Sequence, residues 1–339
     1  MKISIVGAGI MGLCTAWAAA RQGHQVKVFE RGPIPNPLAS SCDQHRLIRY
    51  PYGNMEGYAR AIAEAYAAWD LLWQDLEQSL YVETGTLFIS NKENYWSETS
   101  AAILSRLGIA IETVAPEEVE RRYPFLKNAD LNRAFFTPTG GVLLAESILV
   151  ALAEHLKNRG VELYPHCPAV KVNTEQGRLW LEDGTEVDAD VLVVAAGVWV
   201  SRLLEDMEGR TTPSRQVVLY LQPPAELASL WENSPMIINP VPEVFFYSVP
   251  PVAGRGLKVA NHNFNLDGDP DGSREVSEAE IAALREISAR QIKDFDRYPS
   301  VLAKSCFYNV APEERFIVER RDRAWILSGF SSQRVQITN

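Results

Sequence analysis

The 339-residue chain has little cysteine and little histidine, and both are scattered. Its four cysteines include no C-x-x-C pair, which excludes a disulfide framework and a zinc site of the usual spacing. The five histidines do not cluster, so we expect no metal centre. A run of Lys and Arg is also missing, and the net charge is −10. Nucleic acid is therefore an unfavourable partner, because phosphate binding depends on neutralisation by Lys and Arg.

Long apolar runs are missing as well. None reaches the roughly 18–20 residues that a membrane-spanning helix needs. The opening Met1–Gly7 meets glycine too soon to be a signal peptide. We therefore expect a cytoplasmic protein that does not bind membranes. The hydrophobic share of 46% and the charged share of 22% are typical of globular proteins, and the length favours two domains.

The first thirty residues predict one β-α-β unit. Ile3 to Val6 is a short apolar strand, Leu13 to Arg21 is an alanine-rich helix that ends at Gly23, and Gln25 to Phe29 is a second strand. Such a unit implies a parallel sheet with a right-handed crossover.

Further elements follow from periodicity, capping and turn residues. We predict helices over 58–76, over 147–157 and from the capping box at 277–280 to about residue 295. A hairpin is predicted over 178–187 and a buried strand over 191–196. The proline-rich segment 235–251 indicates strands and turns rather than a hinge.

The turn after the first predicted strand reads Gly7-Ala8-Gly9-Ile10-Met11-Gly12, a G-x-G-x-x-G sequence. A strand before it, a helix after it and Glu30 at the end of the next strand are the contexts that a dinucleotide-binding motif requires. Gly7 permits the tight turn, Gly9 lets the backbone approach a pyrophosphate, and Gly12 lets helix and strand pack closely. The helix amino-terminus offers N–H groups to the phosphates, and Glu30 suits an adenosine ribose without a 2′-phosphate.

NAD and FAD both use this unit. A nicotinamide dehydrogenase usually continues its sheet at once, whereas this chain enters a long segment over 40–53 and returns to the sheet only near Val161. An interrupted nucleotide domain fits FAD better. A nicotinamide enzyme stays as an alternative, because residues 5–12 also resemble the openings of imino-acid reductases.

Five further motifs follow in order. They are R-L-I-R over 46–49 with Tyr52-Gly53, V-V-A-A-G-V-W over 193–199, G-L-K-V-A-N-H over 256–262, C-F-Y over 306–308 leading to E-R-F-I over 314–317, and S-G-F-S over 328–331. Together with the glycine motif they resemble the sarcosine oxidase family of D-amino-acid-oxidase-like flavoproteins, from Met1 to about Phe330.

The resemblance implies an α/β fold in two parts. A Rossmann-like FAD-binding domain would be interleaved with an α+β substrate domain built on a mainly antiparallel sheet. We assign residues 1–83, 142–212 and 313–339 to the FAD-binding domain. Residues 84–141 and 213–312 would form the substrate domain.

The resemblance also implies a reaction. A secondary or primary amine, such as an amino acid or an N-methyl amino acid, would give a hydride to flavin N5. The imine would hydrolyse, and O2 would reoxidise the flavin to give H2O2. The partners would be a small-molecule amine and O2, and the protein would be a monomer or weak homo-oligomer. The alternative is an FAD amine dehydrogenase that passes its electrons to a carrier.

Four residues are expected by resemblance to act on the substrate or on oxygen. Lys258 would reach flavin N5 through a water and stabilise superoxide. Arg49 would bind a substrate carboxylate with its planar fork. His262 and Tyr247 would line the substrate pocket. Taken alone, each residue also fits a structural role: a solvated lysine, a surface arginine, a structural histidine and a core aromatic.

The residues expected to bind FAD lie in the glycine motif, in the loop after it and at strand ends. They are Gly7, Gly9, Gly12, Glu30, Arg31, Ser40, Arg46, Val170, Gly197, Trp199 and Cys306. Cys306 resembles the family's cysteine that forms a thioether to the flavin 8α-methyl, so covalent attachment is expected. Nearby Lys or Arg would favour the thiolate. A buried cysteine that only packs is the other interpretation.

Two segments depart from the family pattern. Cys42-Asp43-Gln44-His45 stands where the family has H-G-D-T, which weakens sarcosine itself as the substrate. Residues 332–339 read S-Q-R-V-Q-I-T-N where the family continues G-H-G-F-K and a helix. We hypothesise a frameshift, because suitable codons read one base later encode Gly-Phe-Lys-Leu-Pro from Arg334. Gln336 would then stand where the family has a carboxylate-binding lysine. The protein would be a flavin-binding remnant that is unstable or nearly inactive. An intact alternative frame in the gene would support this.

Overall fold

The computed structural model describes residues 1–91, 95–127, 130–243 and 245–331. The segment 332–339, on which the frameshift hypothesis depends, lies outside the described residues. The strands in chain order are β1 Lys2–Val6, β2 Gln25–Phe29, β3 Arg46–Arg49, β4 Tyr81–Glu83, β5 Thr86–Ser90, β6 Glu112–Val114, β7 Arg133–Thr137, β8 Gly140–Leu143, β9 Glu162–Tyr164, β10 Ala169–Asn173, β11 Arg178–Leu181, β12 Glu186–Asp188, β13 Val191–Val194, β14 Thr212–Leu221, β15 Met236–Asn239, β16 Phe246–Val249, β17 Leu257–Asn261, β18 Ser300–Val310, β19 Ile317–Arg321 and β20 Ala324–Ser328.

The helices are α1 Ile10–Arg21, α2 Glu56–Leu76, α3 Tyr95–Arg106, α4 Pro116–Arg122, α5 Ala145–Asn158, α6 Val200–Leu203, α7 Ala228–Glu232 and α8 Glu278–Ala289. In the described ranges no helix is both long and apolar enough to cross a bilayer.

A six-stranded sheet forms the first half of the molecule, with strand order β19-β20-β13-β1-β2-β9. Every pairing from β20 to β9 is parallel, and only the edge strand β19 runs antiparallel. The helices α1, α2 and α5 contribute to a core cluster that packs with this sheet. The predicted β-α-β unit and the late return of the sheet are therefore present, since β9 begins at Glu162.

An eight-stranded sheet forms the second half, with order β18-β14-β17-β16-β15-β5-β7-β6. All its pairings are antiparallel except β15 with β5. The sheet has two apolar faces, because neighbouring residues of a strand point to opposite sides. Leu257 and Val259 of β17 belong to the cluster that includes Leu284 of α8, whereas Ala260 belongs to the cluster on the other face. The predicted fold class is confirmed; the exact domain boundaries stay a prediction.

Most predicted elements are present with shifted ends. The strand Gln25–Phe29 has the predicted bounds, and Ser277 with Glu280 forms the predicted capping box. The helix that begins there ends at Ala289, six residues short of the predicted end near Phe295. A separate short 3-10 turn covers Phe295–Arg297, and Asp294 before it has a left-handed backbone.

Candidate functional site

The glycine turn lies at the carboxyl end of β1, where packing leaves no room for side chains. Gly7 has φ +101°, and a Cβ there would lie 2.4 Å from the carbonyl oxygen of Ala195. A Cβ on Gly12 would lie 1.9 Å from the carbonyl oxygen of Gly7. Close approach of α1 to the strand therefore requires glycine at both positions.

Glu30 is buried and holds this turn. One carboxylate oxygen accepts from the backbone N–H of Ala8 at 2.8 Å, and the other accepts from the Asn36 side chain at 2.9 Å. The second oxygen also accepts from Gly32 N at 3.1 Å. The residue placed by sequence at a ribose is thus also a structural anchor of the loop.

A cavity of about 450 Å³ opens beside the turn, a size within the range of small-molecule sites. The predicted cofactor residues that line it are Gly7, Gly9, Glu30, Arg31, Ser40, Arg46, Gly197 and Trp199. Gly12 lies behind the wall in α1. The remaining wall comes from the end of β13, from Pro168 and Ala169, and from residues 327–330 after β20.

The cavity presents groups suited to a phosphorylated cofactor. The 12-residue helix α1 begins at Ile10, and Gly9 before it provides no side-chain cap. Gly9, Ile10 and Met11 line the cavity, so the amino-terminus of α1 borders it and is suited to binding an anion. Arg46 and Asn309 also line the cavity. Arg46 Nε and Asn309 Oδ1 are buried and have no hydrogen-bond partner among the described residues. Buried polar atoms are normally paired, so these two fit a bound group with both acceptors and donors.

Charged and aromatic side chains form one wall of the cavity. The Arg31 guanidinium lies 4.7 Å from the centre of the Trp199 ring. Asp271 accepts from Trp199 Nε1 at 2.8 Å and from Arg31 Nη1 at 3.1 Å. Asp271 comes from the segment between β17 and α8, so both halves of the chain contribute to this wall.

A buried ion cluster lies directly behind Arg46. The Asp43 carboxylate accepts from Lys258 Nζ at 2.6 Å and from the Arg46 guanidinium at 2.5 Å. Its other oxygen accepts from Tyr220 Oη at 2.6 Å. Lys258 is only 2% exposed, so the interpretation of a solvated lysine is wrong.

The charges of the cluster are set by burial and by mutual contact. Burial disfavours the charged carboxylate, but Lys258 and Arg46 prevail and hold the pKa of Asp43 well below its usual value. Burial is the largest influence on Lys258 and lowers its pKa, while Asp43 opposes that change. Burial and then Lys258 lower the pKa of His45 to about 3, so its ring is neutral near pH 7.

Cys306 lies on β18 beside this cluster and is 8% exposed. Burial raises the pKa of its thiol, and Arg46, Lys258 and Lys304 oppose that rise. The predicted neighbourhood of cations is therefore present. The sulfur does not belong to the wall of the 450 Å³ cavity.

The predicted substrate residues occupy the adjoining region of the second half. Tyr247 is buried on β16. His262 follows directly after β17 instead of lying within it, and its Nε2 is 3.5 Å from a Glu314 oxygen. Phe245 and Phe264 have ring centres 5.1 and 4.4 Å from that of His262. The result is an aromatic enclosure that includes the Glu314 carboxylate.

Arg49 is buried and lies apart from the cavity wall. Its guanidinium is 4.6 Å from the Tyr52 ring centre and 5.8 Å from that of Trp96, and it donates to the carbonyl of Pro51. The interpretation as a surface arginine is therefore wrong. Contact with a substrate carboxylate stays a prediction.

Val170, which was expected to bind FAD, does not line the cavity, but its neighbours in the sequence do. Its side chain is 52% exposed on β10 and does not border the cavity, whereas Pro168 and Ala169 do. Val170 lies at an irregularity of β10, where the pairing with β11 shifts register between Ala169 and Lys171.

The sequence reasoning missed several site residues, among them Asn36, Asp43, Tyr220 and Asn309. Asn309 donates to the Ser328 hydroxyl at 2.8 Å and to the Gly197 carbonyl at 3.1 Å, which ties β18 to the nucleotide half. The departure of residues 42–45 from the family pattern was the one signal that marked Asp43 as unusual. For Asn309 no local signal exists, since its partners are distant in sequence.

The parallel sheet, the glycine turn and the anchored acidic residue together define an adenine-dinucleotide-binding protein with a second, antiparallel domain. The family model described as "FAD dependent oxidoreductase" matches residues 2–338, so the chain belongs to that family and uses FAD. It is an FAD-dependent oxidoreductase.

Relatives and solved structures agree with this assignment. The chain is 25% identical to monomeric sarcosine oxidase of Bacillus sp. (strain B-0618), with 97% of this chain and 87% of the relative covered. It is 23% identical to N-methyl-L-tryptophan oxidase of Yersinia pestis (strain Pestoides F), over 96% and 89%.

Two solved structures share the fold at low sequence identity. Glycine oxidase from Geobacillus kaustophilus superposes with a TM-score of 0.82 at 19% identity, covering 98% of this chain and 89% of that one. L-proline dehydrogenase from P. horikoshii superposes with 0.83 at 19% identity, covering 98% and 88%.

Proposed function

We propose that this enzyme oxidises a secondary or primary amine, either an amino acid or an N-methyl amino acid, and uses O2 as the final electron acceptor. Membership of the FAD-dependent oxidoreductase family and the relatives named as amine oxidases support this. The observation that carries the proposal is a pair of buried cations: Arg46 lines the cavity beside the glycine turn, and Lys258 shares the Asp43 carboxylate with Arg46.

The nucleotide half binds the cofactor. The α1 amino-terminus and Gly9 would hold the pyrophosphate, and Glu30 would bind the adenosine ribose. Arg31 and Trp199 would form the wall of the cavity beside the cofactor. Bound flavin would supply the redox chemistry, with N5 as the hydride acceptor and O2 as the acceptor of its electrons to give H2O2. The protein contributes binding, orientation and electrostatics.

The second half binds the amine and sets its charge. Hydride departs most readily from the carbon beside a neutral amine, and the positive charge of Lys258 and Arg46 favours the deprotonated form. Tyr247 and His262 would exclude water around the substrate, and Arg49 would bind a carboxylate on it. Lys258 would also stabilise the negative charge that develops on oxygen. The imine product leaves and is hydrolysed.

Covalent attachment through Cys306 is part of the proposal. Burial raises the pKa of the Cys306 thiol, and the surrounding cations support attachment because they oppose that rise and so assist formation of the thiolate that attacks an electron-poor ring. A thioether would keep the flavin in place during turnover.

A panel of amines tests the function. The flavin-loaded protein is mixed with sarcosine, N-methyltryptophan, proline, pipecolate, glycine and a glycated amino acid, and peroxide is measured. We expect peroxide with at least one secondary amine, and Lys258→Met should lower the rate of reoxidation far more than the rate of flavin reduction. Flavin that is reduced by no amine would reject the proposal.

A second candidate is an amine dehydrogenase that passes its electrons to a carrier. It is favoured by Asp43, whose carboxylate lies 2.6 Å from Lys258 Nζ and offsets part of the field that would assist oxygen. Reduced enzyme that reacts quickly with a quinone or dye and slowly with O2 would select this candidate. That the protein acts in the cytoplasm, as a monomer or weak homo-oligomer, stays a prediction from the sequence.

A further inference from the structure

Asp43 is the centre of the buried cluster, although nothing in the glycine motif or the substrate enclosure calls for an acid there. Its carboxylate is 3% exposed and accepts from Lys258, Arg46, Tyr220 and the backbone N–H of Gln44. Four donors around one carboxylate satisfy its acceptor capacity. The segment that carries it, residues 42–45, is one of the two whose sequence departs from the family pattern.

The surroundings of Lys258 show why an acid matters. The loop before β3 contributes Asp43 and the neutral ring of His45, whose backbone carbonyl accepts from Lys258 at 3.4 Å, and β3 itself begins with Arg46. From β14, Tyr220 presents its ring 5.9 Å from Lys258 Nζ.

Other titratable groups act on Lys258 more weakly or from one side. Cys306 of β18 favours the charged ammonium. Lys304 of the same strand lies 4.0 Å from the other Asp43 oxygen, and Arg255 lies near enough to act on His45. Asp43 is therefore the one carboxylate that the described residues bring into contact with this ammonium.

We propose that Asp43 is a positioning residue that keeps Lys258 protonated and holds its ammonium beside the flavin. The inference rests on the proposed function. A buried ammonium without a counter-ion tends to lose its proton, because desolvation penalises the charged form. The Asp43 carboxylate, 2.6 Å from Lys258 Nζ, opposes that tendency. The charge at Lys258 in this enzyme thus depends on an acid that lies outside the cofactor and substrate walls.

Asp43→Asn tests the idea, because it keeps the shape of the side chain and removes the negative charge. In that variant Lys258 would face Arg46 without a counter-ion, so its pKa would fall further, which favours the neutral amine at about pH 9, below the ordinary lysine pKa of about 10.4. Lys258→Met removes the charge directly. The two changes, alone and together, form a double-mutant cycle.

The readout is the affinity of sulfite for the oxidised flavin, which needs neither substrate nor oxygen. Sulfite adds through the sulfur lone pair to N5 and leaves a negative charge on the ring, so nearby positive charge tightens its binding. With Asp43 present, Lys258→Met should weaken sulfite binding about tenfold or more at about pH 9. In the Asp43→Asn background the same substitution should change the affinity by less than about twofold.

Two results of the double-mutant cycle would contradict the role of Asp43. If Lys258→Met has the same effect in both backgrounds, or no effect with Asp43 present, the inference is overturned. Asp75→Asn is the matched control, since Asp75 also accepts from a cation, Arg21, and from Trp17, but far from the cavity. It should leave the cycle unchanged.

A second measurement covers the case in which the Asp43→Asn variant does not fold. The ratio of sulfite dissociation constants, Lys258→Met over wild type, is followed between about pH 6 and pH 9. A constant ratio well above one agrees with a lysine held charged by Asp43, and a ratio that falls towards one overturns the inference. Failure of the proposed function is distinct, because it shows as absent flavin or as flavin that no amine reduces.

Discussion

The Glu30 carboxylate accepts a hydrogen bond from the backbone N–H of Ala8 at 2.8 Å, so the acid at the end of β2 holds the middle of the glycine turn. Its other oxygen accepts a hydrogen bond from the Asn36 side chain. Glu30→Ala removes this anchor together with the acceptor for the ribose, and a hydrogen bond to a charged group contributes about 1.5–3 kcal/mol. We expect FAD affinity to fall about tenfold to hundredfold, measured by fluorescence titration of the apoprotein.

The control for Glu30→Ala is Glu186→Ala. Glu186 is exposed on the hairpin strand β12, where it pairs with Arg178. It should bind FAD like the wild type. Equal affinities for all three proteins would show that Glu30 has no part in the site.

Gly12 and Gly57 allow a matched comparison of one substitution. A Cβ on Gly12 would lie 1.9 Å from the Gly7 carbonyl oxygen, whereas a Cβ on Gly57 in α2 meets nothing within 4 Å. Gly12→Ala should lower the free energy of unfolding by about 1–3 kcal/mol or more and weaken FAD binding. Gly57→Ala should be neutral or slightly stabilising, because alanine favours helices. Urea unfolding of the apoproteins checks both, and similar losses in the two variants would contradict the packing argument.

His45 links stability to pH. Its pKa is lowered to about 3 by burial, whereas the unfolded chain titrates near 6.5. Between these values the unfolded state binds more protons, so the stabilisation is complete above about pH 6.5 and is lost as the pH falls towards 3. The loss between about pH 7.5 and pH 5 should amount to about 2 kcal/mol.

His45→Gln should remove this part of the pH dependence, and His24→Gln should retain it. Urea unfolding at the two pH values gives the four free energies. If the free energy of unfolding changed by the same amount between the two pH values in His45→Gln and in the wild type, the description of His45 as a neutral buried imidazole would be wrong.

Cys306 should retain flavin after denaturation. We expect the yellow colour to stay with wild-type protein after acid precipitation and to be released from Cys306→Ser. Cys167→Ser, at a half-exposed cysteine, should behave like the wild type. Colour released from all three would mean that flavin is bound without a covalent bond.

The nucleotide half was predictable because its determinants are local. Gly7, Gly9 and Gly12 form one turn, and Glu30 follows at the distance that a β-α-β unit fixes. The interruption before β9 could be read from runs of apolar residues.

The ion cluster was not predictable, since Asp43 and Lys258 are separated by 215 residues and meet only when two sheets pack. The same holds for Asn309, which joins β18 to the end of β20. The burial of Arg49 among aromatic rings likewise depends on the distant helix α3. Where periodicity failed, as at the end of α8, a left-handed residue at Asp294 separates the helix from the turn that follows.

Anaerobic reduction of the bound flavin by an amine tests the central claim most directly. The purified, flavin-reconstituted protein is mixed with each amine of the panel in the absence of O2, and the absorbance of the flavin at about 450 nm is followed. We predict that at least one secondary amine abolishes this absorbance and that an imine or its hydrolysis products appear in equal amount. A protein that binds no flavin after reconstitution, or whose flavin stays oxidised with every amine, would contradict the account.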